Sequence, residues 1–272
     1  MTLNSKTTRH LAVITGASSG IGATFAHAYA GRGCDVCLVA RRLDRLQALC
    51  GELSGKYGIE AFAIQADLAQ PNAHQIIVDA LAGRGRVADI LINNAGYSLA
   101  REFMDTSTAQ QLDFVQVLVN AVVALTHALL PGMVARGYGR IINVASMVAF
   151  SPGAAGHTLY PAAKSFVVKM SQSLAAEVGS KGVHVTAICP GQTETEFASA
   201  NGTDHLVAKS GLYKQSAQDV VTIAIKGNEA GKEVVVPGWP NKIAVTMMRL
   251  LPDSWMAALI RPQAKKFVLS DK

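Results

Sequence analysis

The chain reads as a single α/β domain, a doubly wound seven-stranded parallel sheet with a C-terminal helical extension, and three observations predict it. Short runs that are apolar almost throughout alternate with longer segments of helical period. Strands lacking a polar face are buried on both sides, as in a parallel sheet covered by helices. The residues of unusual chemistry fall at the carboxyl ends of these runs, where open parallel sheets bind ligands. Finally, 272 residues, 50% apolar and 16% charged, supply one large core, because a chain of ~300 residues buries roughly three quarters of its unfolded surface. That composition excludes disorder, collagen and a disulfide-stapled miniprotein. No Pro/Ser/Gly-rich linker, charge run or internal repeat divides residues 1–272.

The predicted strands are LAVIT (11–15), DVCLVA (35–40), EAFAIQ (60–65), DILINN (89–94), RIINVAS (140–146), VHVTAIC (183–189) and EVVVP (233–237). The segments between them are long enough for crossover helices, among them helices predicted at about 108–136 and 158–179. The most membrane-like stretch, VLVNAVVALTHALLPGMVA from Val117, carries Asn120, Thr126, His127 and Pro131-Gly132, which suits a buried helix better than a transmembrane one. Residues 192–213 are polar, rich in small side chains and weakly periodic, as suits a substrate lid.

Residues 239–268 form the extension. Its Ile243, Val245, Met247, Met248, Leu250, Leu251, Trp255 and Met256 could line an apolar pocket, touch a membrane surface, or only pack on the core.

Charge and cysteine usage narrow the function classes. The net charge of +6 comes from scattered Lys and Arg with no basic stripe or zinc-finger spacing, so nucleic acid is not an expected partner. Cys34, Cys37, Cys50 and Cys189 follow no disulfide framework, and the polar start MTLNSKTTRH lacks the apolar core of a signal peptide. A cytoplasmic protein with reduced thiols is expected. Cys34 and Cys37 spell C-x-x-C, but they enter an apolar strand with their side chains on opposite faces, and no metal site is expected.

The first strand runs straight into Thr15-Gly16-Ala17-Ser18-Ser19-Gly20-Ile21-Gly22, and a helix opens at once. Glycines at 16, 20 and 22 remove the Cβ atoms that would hold a diphosphate off the backbone, and the helix amino terminus offers N–H donors and partial positive charge. This is the Rossmann-type dinucleotide loop. The same residues spell the G-x-S-x-G hydrolase elbow, but that elbow normally follows several strands, and this loop follows the first. The second strand ends in Ala40-Arg41-Arg42, where an NAD enzyme usually places an acid against the ribose 2′-hydroxyl. Guanidinium groups suit a 2′-phosphate, so NADP(H) is preferred over NAD(H). The bland alternative is that both arginines begin a solvated helix.

Tyr160 and Lys164 share one helix face four residues apart. An ammonium beside a phenol stabilises phenolate and lowers a pKa that is otherwise ~10, giving a proton donor usable near neutrality. Ser146, at the end of the fifth strand, could hold a substrate oxygen.

With these motifs the sequence resembles the short-chain dehydrogenase/reductase family, classical type, over nearly its whole length. The matched residues are Thr15 to Gly22, Asn93-Asn94-Ala95-Gly96, Asn120, Ser146, Tyr160, Lys164, and Pro190-Gly191 followed by Thr195. The resemblance implies a carbonyl/alcohol oxidoreductase with Tyr160 as general acid or base, Ser146 orienting the carbonyl, Lys164 also binding the nicotinamide ribose, and Asn120 supporting a water relay. It also implies Asp67 near the adenine, Asn93 near its ribose, Thr193 and Thr195 near the carboxamide, and a homodimer or homotetramer assembled through the two long helices. The tail looks like that of the 3-oxoacyl and hydroxysteroid reductase branch, so the implied substrate is an apolar ketone, acyl or steroid-like.

Two departures stand out. Pro161 follows Tyr160, so the helix should begin there or be distorted. The Ser146 to Tyr160 gap is one residue longer than usual, within the Gly/Pro loop AFSPGAAGHTL. The alternative function is a cofactor-binding regulator of the same fold without turnover, against which the set Asn120, Ser146, Tyr160 and Lys164 argues.

Overall fold

A computed structural model of the chain describes residues 9–99, 101–194 and 215–264. Its strands β1 Leu11–Thr15, β2 Asp35–Ala40, β3 Ala61–Gln65, β4 Ile90–Asn93, β5 Gly139–Val144, β6 Val183–Ile188 and β9 Val234–Val235 form one seven-stranded sheet in the order β3-β2-β1-β4-β5-β6-β9. Every pairing is parallel. Each run singled out in the sequence becomes a strand. The last shrinks from five residues to two, where it pairs with Ala187 and Ile188. A separate two-stranded ladder joins β7 Thr193–Glu194 to β8 Gln215–Ser216.

The near-total apolarity of the strands has the predicted cause. In β1, Leu11 and Val13 enter one core with Ile77, Leu81, Phe114, Leu118 and Leu125. Ala12 and Ile14 enter a second core with Phe25, Leu46, Leu53, Val221 and Ile225. The first core is covered by α3 Ala73–Gly83, α4 Thr108–Val115, α5 Ala121–Ala135 and α6 Leu159–Val178, the second by α1 Gly20–Ala30, α2 Leu43–Tyr57 and α7 Ala217–Glu229. Since β2 and β3 lie on one side of β1 and β4 on the other, the strand order reverses at β1. Its carboxyl end is therefore the ligand crevice.

The membrane-like stretch lies within the helical run from Thr108 to Ala135, which is long and apolar enough to cross a bilayer by composition alone. Its Phe114, Leu118, Ala121 and Leu125 are buried in the first core. Ser107 starts the run with a reciprocal capping box to Gln110. A π-helical turn, Gln116–Asn120, lies between α4 and α5, the kind of bulge that often marks a functional site.

The Pro161 departure resolves simply. The helix begins at Leu159 with Thr158 as N-cap, so Pro161 sits in the first turn, where its missing N–H has no intrahelical acceptor to serve. The tail forms α8 Trp239–Leu250 and α9 Asp253–Ala264. The end of the extension beyond 264 and the span 195–213 of the expected lid lie outside the described residues.

Candidate active site

The loop after β1 is pressed against the end of β4. Gly16 (φ +65°) and Gly20 (φ +57°) adopt left-handed backbone. A Cβ on Gly16 would meet Asn94 Nδ2 at 2.8 Å and Ala95 Cα at 2.9 Å, and one on Gly22 would run into the Gly16 carbonyl. Asn94 closes the contact by donating from Nδ2 to the carbonyls of Thr15 (3.0 Å) and Gly16 (3.2 Å). Thr15 Oγ1 accepts from the main-chain N–H groups of Asn94 and Ala95. The structural roles of Thr15 and Asn94 were not assigned from sequence, although both lie inside the matched motifs.

Ser19, extended at the N-cap of α1, makes no side-chain cap. The first-turn N–H groups, including those of Ile21 and Gly22, thus have no side-chain acceptor from it. Arg42 lies over this loop, donating from Nη2 to Ser18 Oγ (2.9 Å) and Ser19 Oγ (3.1 Å) and from Nε to Ser18 Oγ (3.3 Å). Arg41 is exposed. Its charge and that of Asp67 both act on the Tyr97 phenol, in opposite directions, so the three lie around one part of the crevice. Asp67 Oδ1 accepts from the N–H of Ala69 in the turn after β3. An uncapped helix start, left-handed glycines and a guanidinium with no carboxylate at 40–42 fit a dinucleotide bearing a ribose phosphate.

Asn93 is corrected in one respect. Its side chain is buried and donates to Thr126 Oγ1 (3.1 Å) and Asn143 Oδ1 (2.8 Å), so it offers the crevice only its main chain.

At the end of β5, Ser146 Oγ accepts from the N–H of Val148 and is hydrogen-bonded to the Tyr160 hydroxyl. The extra residue of the intervening loop is taken up between a 3₁₀ turn at Met147–Phe150 and the α6 start, leaving these two hydroxyls in contact. One helical turn beyond Tyr160, the buried Lys164 donates from Nζ to the Val144 carbonyl (2.7 Å), 5.7 Å from the Tyr160 ring centroid.

Here an expectation fails. Burial pushes the Tyr160 phenol up to about 12, against the lowering effect of its Ser146 bond. Tyr160 keeps a partly exposed edge, yet its hydroxyl sits among protein groups. Burial also takes Lys164 down to about 8. Its ammonium is tied to a main-chain carbonyl, and desolvation outweighs the ion–phenol attraction that the sequence suggested.

Asn120 requires the larger correction. It is exposed, donates to Gln116 Oε1 at 2.9 Å, and lines an open groove of about 690 Å³ with His74, Val123, His127 and Phe166. The residue of this helix beside Lys164 is the buried Leu118. Its Cγ and Lys164 Nζ lie 3.7 and 3.8 Å from the place a Cβ on Gly96 would occupy. A hydrocarbon therefore stands where a water relay was expected, and Asn120 takes no part in the site.

The remaining walls converge. Tyr97 meets Phe114 edge-on at 5.3 Å, and Phe114 lies 6.4 Å from Tyr160. A narrow cleft beside Tyr160 is lined by Leu99, Arg101, Gln111, Phe114, Thr158 and Leu159. Pro190 accepts from the N–H of Met147. Gly191 is packed so closely on Asn241 that a Cβ would lie 2.7 Å from its amide, and Thr193 Oγ1 donates to the Gly191 carbonyl. Thr195 lies outside the described residues.

Comparison with known proteins agrees with this geometry. The model of the short chain dehydrogenase family matches residues 10–205. Hydroxysteroid dehydrogenase-like protein 1 of Gallus gallus is 30% identical over 268 residues, 96% of this chain and 78% of that protein. A sulfoacetaldehyde reductase of Chromohalobacter salexigens is 35% identical over 203 residues, 74% of this chain and 79% of that one. Among solved structures, a short-chain dehydrogenase from Sphingobium yanoikuyae in complex with NADPH is 32% identical with a TM-score of 0.78, covering 90% of this chain and 97% of that one. With its parallel sheet, glycine loop and Ser146, Tyr160 and Lys164 gathered at one crevice, the chain belongs to the short chain dehydrogenase family of oxidoreductases.

Proposed function

We propose that the protein is an NADPH-dependent reductase of apolar ketones. The observation that carries the cofactor choice is Arg42 lying over Ser18 and Ser19 at the end of β2, where Ala40-Arg41-Arg42 stands in place of an acid, which suits a 2′-phosphate. When bound, the nicotinamide supplies hydride to a carbonyl carbon. Tyr160 keeps its proton at neutral pH because its pKa is raised, so it is loaded to give that proton to the carbonyl oxygen as the carbon accepts hydride. Ser146, sharing a hydrogen bond with the same hydroxyl, positions the oxygen. Lys164, 5.7 Å from the Tyr160 ring centroid, holds positive charge near that hydroxyl and would help to hold the nicotinamide ribose.

The rings of Tyr97 and Phe114, with Leu99 and Leu159, favour an apolar substrate body. One observation favours a second reading. Arg101 lines the cleft beside Tyr160, where its charge would suit a small anionic aldehyde of the kind named for the sulfoacetaldehyde reductase relative. The test is kcat/KM for cyclic and long-chain ketones and for sulfoacetaldehyde, each with NADPH and NADH. Turnover confined to sulfoacetaldehyde overturns the apolar assignment, and no turnover of any carbonyl leaves the regulator as the better account.

The same reading takes residues 1–272 as one cytoplasmic catalytic unit with 192–213 as its lid. It also includes a homo-oligomer built on the apolar groove of α5 and α6, near which Leu112, Val123 and Phe166 are exposed.

A further inference from the structure

The two tail helices turn an unusual amount of hydrocarbon to solvent. Trp239, Ile243, Met247 and Leu250 on α8 and Trp255 and Leu259 on α9 are each 45–78% exposed. On α8 they recur at i, i+4, i+8 and i+11, which makes one stripe along the helix. The opposite face is already used: Asn241 and Val245 are buried against the body of the protein. The stripe is therefore a second apolar face. Lys242 and Arg249, a heptad apart, run along one edge of it. Residues 239–266 carry five basic residues, Lys242, Arg249, Arg261, Lys265 and Lys266, against the single acid Asp253.

We propose that α8 and α9 form a docking surface for an anionic lipid bilayer, lying in its interface without crossing it. An apolar stripe with tryptophans and a basic edge is the pattern that seats a helix at the headgroup boundary. Tryptophan favours that boundary because its ring is apolar while its N–H still finds water. Two copies of this chain are a poorer occupant when α8 pairs antiparallel with itself, because that two-fold brings the basic edge against its own like charges. The placement also bears on access to the site. Arg249 lies 4.4 Å from the Phe150 ring centroid, and Arg261 donates to the Gly153 carbonyl. The lipid-facing helices thus hold the loop between Ser146 and Tyr160. The inference does not depend on the substrate assigned above, because binding needs no turnover.

The chain has only two tryptophans, Trp239 in the stripe of α8 and Trp255 exposed on α9, so their emission reports on the proposed surface directly. The purified full chain is mixed with vesicles of phosphatidylcholine containing a quarter phosphatidylglycerol. A blue shift of emission and co-sedimentation are expected, weaker by roughly tenfold or more with pure phosphatidylcholine or in about 0.5 M salt. Ile243→Glu with Leu250→Glu should abolish both while leaving the circular dichroism melt in place. Lys242→Glu, at an exposed position, serves if that pair fails to fold, and should weaken binding to the anionic vesicles alone. Absence of shift and sedimentation with anionic vesicles overturns the proposal. So does equal binding to both vesicle types, or a blue shift that grows with protein concentration without lipid, which would assign the stripe to a second copy.

Discussion

Replacing Arg42 by Ala tests the cofactor assignment. The guanidinium reaches Ser18 and Ser19 from outside the loop, through Nη2 and Nε, so a 2′-phosphate beside these serines would accept a charge-assisted hydrogen bond. Such bonds contribute about 1.5–3 kcal/mol, and because Arg42 is exposed the lower end applies, with salt screening part of it. A loss of ~1.5–2 kcal/mol corresponds to roughly ten- to thirtyfold in kcat/KM for NADPH. NADH, lacking the phosphate, should be nearly unaffected. The assay is kcat/KM for both cofactors against one saturating ketone, at low and at high ionic strength. The expected result is a fall in the NADPH:NADH ratio that is larger at low salt. If both cofactors weaken equally, Arg42 only braces the glycine loop through its serine bonds, and the reasoning from charge is refuted.

Four further outcomes follow from the site. Tyr160→Phe should lower kcat by roughly 10²- to 10⁴-fold, as for a lost general acid, with NADPH affinity by fluorescence titration nearly intact; retention of a tenth of the rate would remove Tyr160 from the chemistry. Because burial lowers Lys164 to about 8, its charge is present below that value and lost above it, so the kcat for reduction should fall as pH rises through about 8; a flat profile there contradicts the assignment. Gly22→Ala forces a Cβ onto the Gly16 carbonyl and should cost roughly 1–3 kcal/mol by overpacking, seen as a lower Tm together with weakened NADPH binding. Light scattering at micromolar concentration should give at least twice the 28.6 kDa of one chain, and a monomer refutes the α5–α6 interface.

The fold was legible because its strands are buried on both faces, and a run such as LAVIT, with Leu11 to Ile14 alternating between the two cores and Thr15 buried at its end, has no other comfortable home. The glycine loop was legible for a similar reason: two left-handed residues and a Cβ-free contact leave little choice of side chain. Residue types alone do not carry the protonation state of Tyr160. The Tyr160 and Lys164 spacing places a cation near a phenol, but depth of burial is a property of the whole packed site. Here it raises one pKa and lowers the other. The Val144 carbonyl, which takes the ammonium's hydrogen bond, offers no side-chain signal at all.

Asn120 shows the opposite failure, where a signal existed and residue identity obscured it. An asparagine in the fourth crossover helix fits the family pattern, yet the helix buries Phe114, Leu118, Ala121 and Leu125, a spacing of four, three and four that defines its inner face. Asn120 is two residues from Leu118, about 200° around a helix at ~100° per residue, so it belongs on the outer face before any coordinates are known. The π turn at Gln116–Asn120 shifts the phase locally without bringing Asn120 inward. The consequence is chemical. With Leu118 and Lys164 Nζ packed about the same glycine, Gly96, the ammonium has hydrocarbon and not an amide on that side, in keeping with the desolvation that lowers its pKa. Leu118→Asn should therefore move the alkaline fall in kcat to higher pH, because a polar neighbour restores solvation to the charged form, whereas Leu118→Val should leave it in place.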